Sequence, residues 1–479
     1  MDASSPAALL MAILPKVPMM GKTALSHTLG LSETAKLWDL RTELTVNVIR
    51  SLISQKPKSV SISQDISKKA PAPKGNIWIS KVCLQVPQDA SVSQSLTSAI
   101  ESLKGDGDAP GGYIEPDLLP VEAEWTGYRS GAGNNTTEPP ISEKEKYDEL
   151  MREATSPVTI LYFHGGAYYL MDPATHRPTC LKLARLTKGR CLNVRYRLAP
   201  QYPFPSALLD ALIAYFNLLY PLPGSFHKPV SPTNIVICGD SAGGNLSTVL
   251  IQTLLEFRRR NLKIKWGGEE REVPLPAGAG LNSPWMDITQ CMPSCELNGM
   301  TDYLPPPSVH PDGMEFPPCP IWPASPPRKN MYAEDSILCH PLVSPIAATN
   351  WEGSCPFFIA TGGELLTDED KHVAMTIAQR GAPVVFYEFE AMPHCFALLL
   401  DGMAAAEICF NAWTKFITDA VTDQTKIETT GIRIKPRTLE HEPIDVKRLS
   451  PFTHKEITKM MSERMQMLSE KQPDTLTKR

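Results

Sequence analysis

The chain has 479 residues and a formal net charge of −5, enough for one large domain with additions and without the positive balance of a nucleic-acid binder. Its one tight basic cluster, Arg258-Arg259-Arg260 with Lys263 and Lys265, closes a helical stretch where cations answer the helix dipole, so no nucleic-acid partner is expected. Eleven cysteines form no paired Cys-x-x-Cys set, and Cys291 and Cys295 have no His-x-x-x-His nearby; no metal or cofactor is expected, and the odd count points to reduced thiols in a cytoplasmic protein.

Taken in order, Ala7 to Met20 is apolar but follows Asp2 and is broken by Lys16 and two prolines, too short to span a membrane. It reads as an arm packing on the domain, with peripheral contact at a membrane surface as the alternative. Residues 22–56 carry helical periodicity through Leu37, Leu40, Leu44, Val48 and Ile49. Lys56 to Lys74 is polar, holds three prolines and reads as a linker, so 1–75 is set apart as an N-terminal arm and cap.

Strand signals follow at Ile77–Val82 and Ala123–Tyr128. A Gly-, Asn- and Thr-rich stretch, Ser130–Pro140, reads as an exposed loop, its Asn134 and Asn135 sequons as ordinary loop polarity. Pro157–Phe163 is a buried-strand run that ends in His164-Gly165-Gly166-Ala167. A helix at 176–187, a strand at Cys191–Tyr196 and a helix at Leu208–Leu219 come next. Further strands are expected at Gly278–Trp285, Phe357–Thr361 and Val384–Phe389. Strands alternating with helices imply an α/β domain over 76–422, with a mostly parallel sheet and helices on both faces. The pattern fails between 286 and 350, where Pro305-Pro306-Pro307, Pro317-Pro318 and Pro326-Pro327 fall; so long a loop inside a domain is expected to form a lid or rim. Residues 423–479 are a charged extension with one weak helix at 455–469, and no chemistry is assigned to them.

Asn234 to Gly244 concentrates the chemistry. A β-branched run enters Gly239-Asp240-Ser241-Ala242-Gly243, and a helical pattern through Leu246, Val249, Leu250 and Leu254 leaves it. A Gly-x-Ser-x-Gly turn from strand to helix leaves the serine at the tip, above a helix N-terminus that favours developing negative charge. A serine hydroxyl needs a base, and the base needs a carboxylate to orient it. His394 follows the last strand and is the candidate base. Two carboxylates compete for the acid: Glu364 at the strand end, which is favoured, and Asp368 one turn on, a position that also suits a helix start. His164-Gly165-Gly166-Ala167 supplies candidate oxyanion donors in the Gly165 and Gly166 N–H groups, with Ala242 as a third.

Together these pieces resemble the hormone-sensitive lipase family of α/β-hydrolase esterases, which includes the arylacetamide deacetylases. The matching segments are His164–Ala167, Tyr196-Arg197-Leu198-Ala199-Pro200 with Phe204-Pro205, Gly239–Gly244, Ser283-Pro284-Trp285 with Asp287, and Glu364–Glu369 before His394. They span about residues 155–400, in the family's order. The family places its acid roughly thirty residues before the histidine, which supports Glu364, although the usual residue is aspartate. Ala167 stands for the usual third glycine and Gln201 for a common glutamate. The resemblance implies the α/β-hydrolase fold, a cap built by residues 22–56, and hydrolysis of short-to-medium acyl or acetyl esters through an acyl-enzyme on Ser241, His394 and Glu364. The alternatives are a non-catalytic small-molecule receptor on the same fold, or deacetylation of an amide or a sterol acetate. Nothing in the pattern specifies an oligomer.

Overall fold

The computed structural model describes residues 14–68, 70–105, 112–309 and 315–470. Part of the apolar Ala7–Met20 stretch therefore lies outside the described residues. Ten strands form one sheet: β1 (Ile77–Leu84), β2 (Val121–Tyr128), β3 (Thr159–Phe163), β4 (Arg190–Val194), β5 (Ile235–Asp240), β6 (Gly278–Asn282), β7 (Phe357–Gly362), β8 (Val384–Phe389), β9 (Thr430–Ile434) and β10 (His441–Ile444). Their spatial order is β1-β2-β4-β3-β5-β6-β7-β8-β9-β10. From β4 through β9 neighbouring strands are parallel, and antiparallel pairs close both edges.

Alternation along the central strands feeds two cores. Leu161 and Phe163 of β3, Ile235 and Ile237 of β5, and Phe357 and Ile359 of β7 face one core, beneath helices Val92–Leu103, Ser206–Leu219 and Ala242–Arg259. Ile160, Tyr162, Val236, Cys238, Phe358 and Ala360 face the other, beneath helices Arg177–Thr187 and Ala404–Thr422. A strand buried on both faces is apolar at every position, which is why the β3 and β5 runs show no polar alternation.

Two readings from sequence change. The linker expected over Lys56–Lys74 contains a helix, Val60–Ser67, whose Val60 and Gln64 are buried. Its prolines, Pro57, Pro71 and Pro73, bracket the helix and do not interrupt it. Gln64 donates to the Ala199 carbonyl at 2.8 Å and accepts from Gln201 at 2.8 Å, so the residue that stands for the family's glutamate holds this helix. The charged extension, in turn, adds β9 and β10 to the sheet, and helix His454–Glu470 sets Ile457 and Met461 into the first core. Helices Val92–Leu103 and Glu143–Glu153 were not anticipated from the sequence pattern.

The N-terminal segment contributes helices Val17–Thr28 and Leu40–Ile53 in place of one continuous periodic stretch. Trp38, buried between them, donates from its indole to the Ala391 carbonyl at 2.6 Å. Among the described residues no helix is long and apolar enough to cross a membrane.

Candidate active site

Parallel α/β sheets gather their functional loops at the carboxyl ends of the strands. His164 follows β3, Ser241 follows β5, Glu364 follows β7 and His394 follows β8. Ser241 sits between β5 and helix Ala242–Arg259 with φ of 50° and ψ of −121°, a strained backbone for a residue with a Cβ. The turn is held from both sides. Ser241 N–H donates to the Asn282 carbonyl at 3.2 Å, and its own carbonyl accepts from Trp285 N–H at 2.9 Å. Gly243 lies so close to the end of β3 that a Cβ there would stand 2.6 Å from the His164 carbonyl oxygen. The helix thus starts directly against the His164–Ala167 loop, and only glycine fits.

The structure brings together the serine, histidine and glutamate singled out in sequence. His394 Nε2 lies 2.9 Å from Ser241 Oγ, and its Nδ1 is hydrogen-bonded to Glu364 Oε2. Glu364 is fully buried. Its other oxygen accepts from the Ser283 hydroxyl at 2.6 Å, Gly362 N–H at 2.8 Å and the Thr361 hydroxyl at 3.2 Å. Burial would raise the Glu364 pKa, but the adjoining His394 imidazole and these donors outweigh it and hold the carboxyl below its ordinary value. Burial likewise disfavours the His394 imidazolium; the neighbouring Cys395 sulfur and the Glu364 carboxylate overcome that and raise the His394 pKa well above the usual histidine value. Asp368 stands apart from this array. It lies in the first turn of helix Thr367–Gln379, where its Oδ2 accepts from Ser294 N–H at 2.9 Å.

The oxyanion loop requires one correction. Gly165 N–H, expected to face the substrate, donates to Asp240 Oδ1 at 3.3 Å. Asp240 also accepts from the Tyr162 hydroxyl at 2.7 Å and meets His176 Nε2 at 3.2 Å, so it fixes the loop from beneath. Gly166 and Ala167 follow with φ of 111° and 51°, which turns the chain sharply beside Ser241. Among the described residues the N–H groups of Gly166, Ala167 and Ala242 have no hydrogen-bond acceptor. His164 is buried and stacked on Tyr196 with ring centroids 4.4 Å apart. Burial, with His176 nearby, lowers its pKa to about 3 and keeps it neutral.

Beside Ser241 opens a cavity of about 520 Å³ whose walls include Tyr169, Trp285, Leu304, Phe316, Trp322 and Tyr332. Two of these come from neighbouring loops and four from the proline-rich stretch 286–350, which therefore borders the site. Sequence reading missed the roles of Ser283 and Asp302. Ser283 bridges Glu364 and Cys395 N–H, the latter at 3.0 Å. Asp302 takes N–H groups from both Leu365 and His394. Among the described residues no group of three or more His, Cys, Asp or Glu side chains is placed to hold a metal ion.

Residues 160–398 match the family model described as the alpha/beta hydrolase fold. The chain belongs to the α/β-hydrolase family. Lipase 2 of Moraxella sp. (strain TA144) is 28% identical over 266 residues, covering 52% of this chain and 57% of that protein. An acetyl-hydrolase of Streptomyces hygroscopicus is 29% identical over 257 residues, covering 52% of this chain and 73% of its own. A solved esterase from the bacterial hormone-sensitive lipase family superposes with a TM-score of 0.52 at 20% identity, over 80% of this chain and 99% of its own; at that identity the likeness concerns the fold. The α/β-hydrolase thus spans little more than half the length of the Moraxella lipase.

Proposed function

We propose that this α/β-hydrolase is a serine esterase that cleaves carboxylic esters through an acyl-enzyme. The observation that carries the proposal is the continuous hydrogen-bonded line from Ser241 Oγ through His394 to the buried Glu364 carboxylate. Ser241 Oγ attacks the ester carbonyl while His394 Nε2 takes its proton, and Glu364 holds the imidazole with Nε2 toward the serine and stabilises the imidazolium. The tetrahedral oxyanion is received by the N–H groups of Gly166, Ala167 and Ala242, the last at the start of a helix whose dipole favours negative charge. His394 then protonates the leaving alcohol, activates water and returns the serine.

The substrate in this reading is a small-molecule ester with an apolar group that fits the aromatic-lined cavity, in keeping with the names lipase and acetyl-hydrolase borne by relatives. A cytoplasmic setting belongs to the same proposal and is supported by the free thiols of Cys180, Cys191 and Cys238 within one core. Peripheral membrane contact through the N-terminal segment is supported by the exposed side chains of Leu14, Val17, Leu25, Leu29 and Leu31. The test of the activity is turnover of a chromogenic butyrate ester. Ser241→Ala is expected to abolish it with the thermal melt unchanged, and undiminished turnover by the folded variant would defeat the proposal.

A further inference from the structure

Serine, histidine and acid come from three separate loops, and something must hold the last two in register. A short segment of the 286–350 stretch touches both. Asn298 Nδ2 donates to the Glu364 carbonyl at 2.8 Å, and the Thr301 hydroxyl to the Gly363 carbonyl at 2.5 Å. Asp302 is fully buried and completes the contact. Its Oδ2 accepts from Leu365 N–H at 2.8 Å, the residue directly after the acid, and its Oδ1 accepts from His394 N–H at 3.2 Å. The same Oδ1 accepts from Tyr303 and Leu304 N–H at 2.7 and 3.2 Å, which fixes the carboxylate on its own turn.

This segment is itself held from outside the sheet. Arg50, on helix Leu40–Ile53, donates Nε to the Asp302 carbonyl at 2.7 Å and its guanidinium to the Gly299 and Met300 carbonyls at 2.9 and 2.5 Å. Three carbonyls converging on one planar guanidinium leave the 299–302 backbone little freedom. We propose that Asp302 is the positioning residue that locks the acid loop to the histidine loop, and that Arg50 makes the N-terminal segment part of the catalytic apparatus by holding Asp302 in place. The inference rests on the triad reading above.

A carboxylate suits this task because it is an acceptor at both oxygens. Asparagine keeps one acceptor but presents an NH2 to either Leu365 N–H or His394 N–H, so one of the two ties must part while the volume is conserved. The reacting groups then sit in a less productive geometry without any change in the substrate cavity. Misplacement of about 1 Å costs up to about 100-fold in rate, so Asp302→Asn is expected to lower kcat by about tenfold per active site, with KM kept. Asp302→Ala, with no acceptor left, falls further.

The experiment measures kcat and KM for a butyrate ester in wild type, Asp302→Asn, Asp302→Ala and Arg50→Gln, each normalised to sites titrated with a fluorophosphonate. Arg50→Gln changes a partly exposed side chain, alters no buried carboxylate and is expected to fold; it should lower kcat in the same sense by a few-fold, again at constant KM. A merely structural role would reduce the number of titratable sites and leave kcat per site unchanged. That result in the Asp302 variants overturns the proposal. Should they fail to fold, wild-type kcat per site in Arg50→Gln overturns it alone. A wild-type chain that neither turns over ester nor takes the probe removes the triad reading itself, and this inference with it.

Discussion

Replacing Glu364 with glutamine changes the shape of the site very little and its chemistry a great deal. Glu364 Oε2 receives the His394 Nδ1 proton, while Oε1 is occupied by Ser283, Gly362 and Thr361 as acceptor for all three. Every surrounding group is a donor. A glutamine with its oxygen toward those three turns its NH2 to Nδ1, which then must accept, and the imidazole proton moves to Nε2, facing Ser241 with the wrong polarity. The flipped amide leaves Ser283 and Gly362 without their acceptor. Loss of the acid in a serine hydrolase lowers kcat by about 10⁴-fold, equivalent to about 5 kcal/mol of transition-state stabilisation. Asp368→Asn is the control: its carboxylate accepts only at a helix start, so it loses about 1 kcal/mol of stability and keeps its kcat. Both variants are read by steady-state kinetics on a butyrate ester with urea unfolding alongside. Near-normal kcat in Glu364→Gln, with the loss appearing in Asp368→Asn, would refute this assignment of the acid.

Gly165→Ala would set a Cβ against Asp240 Oδ2 and 3.2 Å from Ser241 Cβ, and Asp240 is pinned by Tyr162 and His176; a loss of about 10²-fold in kcat is expected, and an unaffected kcat would mean the loop is free to move. Because a general base must be neutral and the His394 pKa is raised, kcat/KM should climb with pH through a midpoint above the ordinary histidine value of about 6.5, whereas a midpoint at or below it would contradict the electrostatics of the site. His164 is held near pKa 3 when folded and titrates near 6.5 when unfolded, so the unfolded chain binds the extra proton in between. Its share of stability is whole above pH 6.5 and declines by about 1.4 kcal/mol per pH unit below it; urea midpoints at pH 7, 6 and 5 should fall less steeply in His164→Asn, and parallel curves would refute this.

The nucleophile turn, the histidine and the acid were legible because each is marked locally: a glycine pair around a serine, or a residue placed directly after a buried apolar strand. Its place at the strand end, with the spacing of the family it resembles, favoured Glu364 over Asp368. What sequence concealed depends on partners far along the chain. Asp302 lies 63 residues from Leu365 and 92 from His394, in a stretch whose prolines mark only an absence of regular structure. Gly165 was assigned by its motif to the substrate side, and only the position of Asp240, 75 residues on, shows where its N–H points. Helix Val60–Ser67 was hidden by prolines that flank it. Strands β9 and β10 were hidden by Arg433, Lys435, Glu440 and Glu442, the kind of charge that guards a sheet edge, here paired in part as Lys435 with Glu442 at 2.8 Å.

The most direct measurement is mass-spectrometric mapping of a fluorophosphonate adduct on the folded protein. An activated serine reacts whatever its natural ester, so one adduct per chain is expected, on Ser241, with none in Ser241→Ala and slower labelling while a competing short-chain ester is present. An unlabelled wild-type chain, or an adduct on any other residue with Ser241 untouched, would contradict the account.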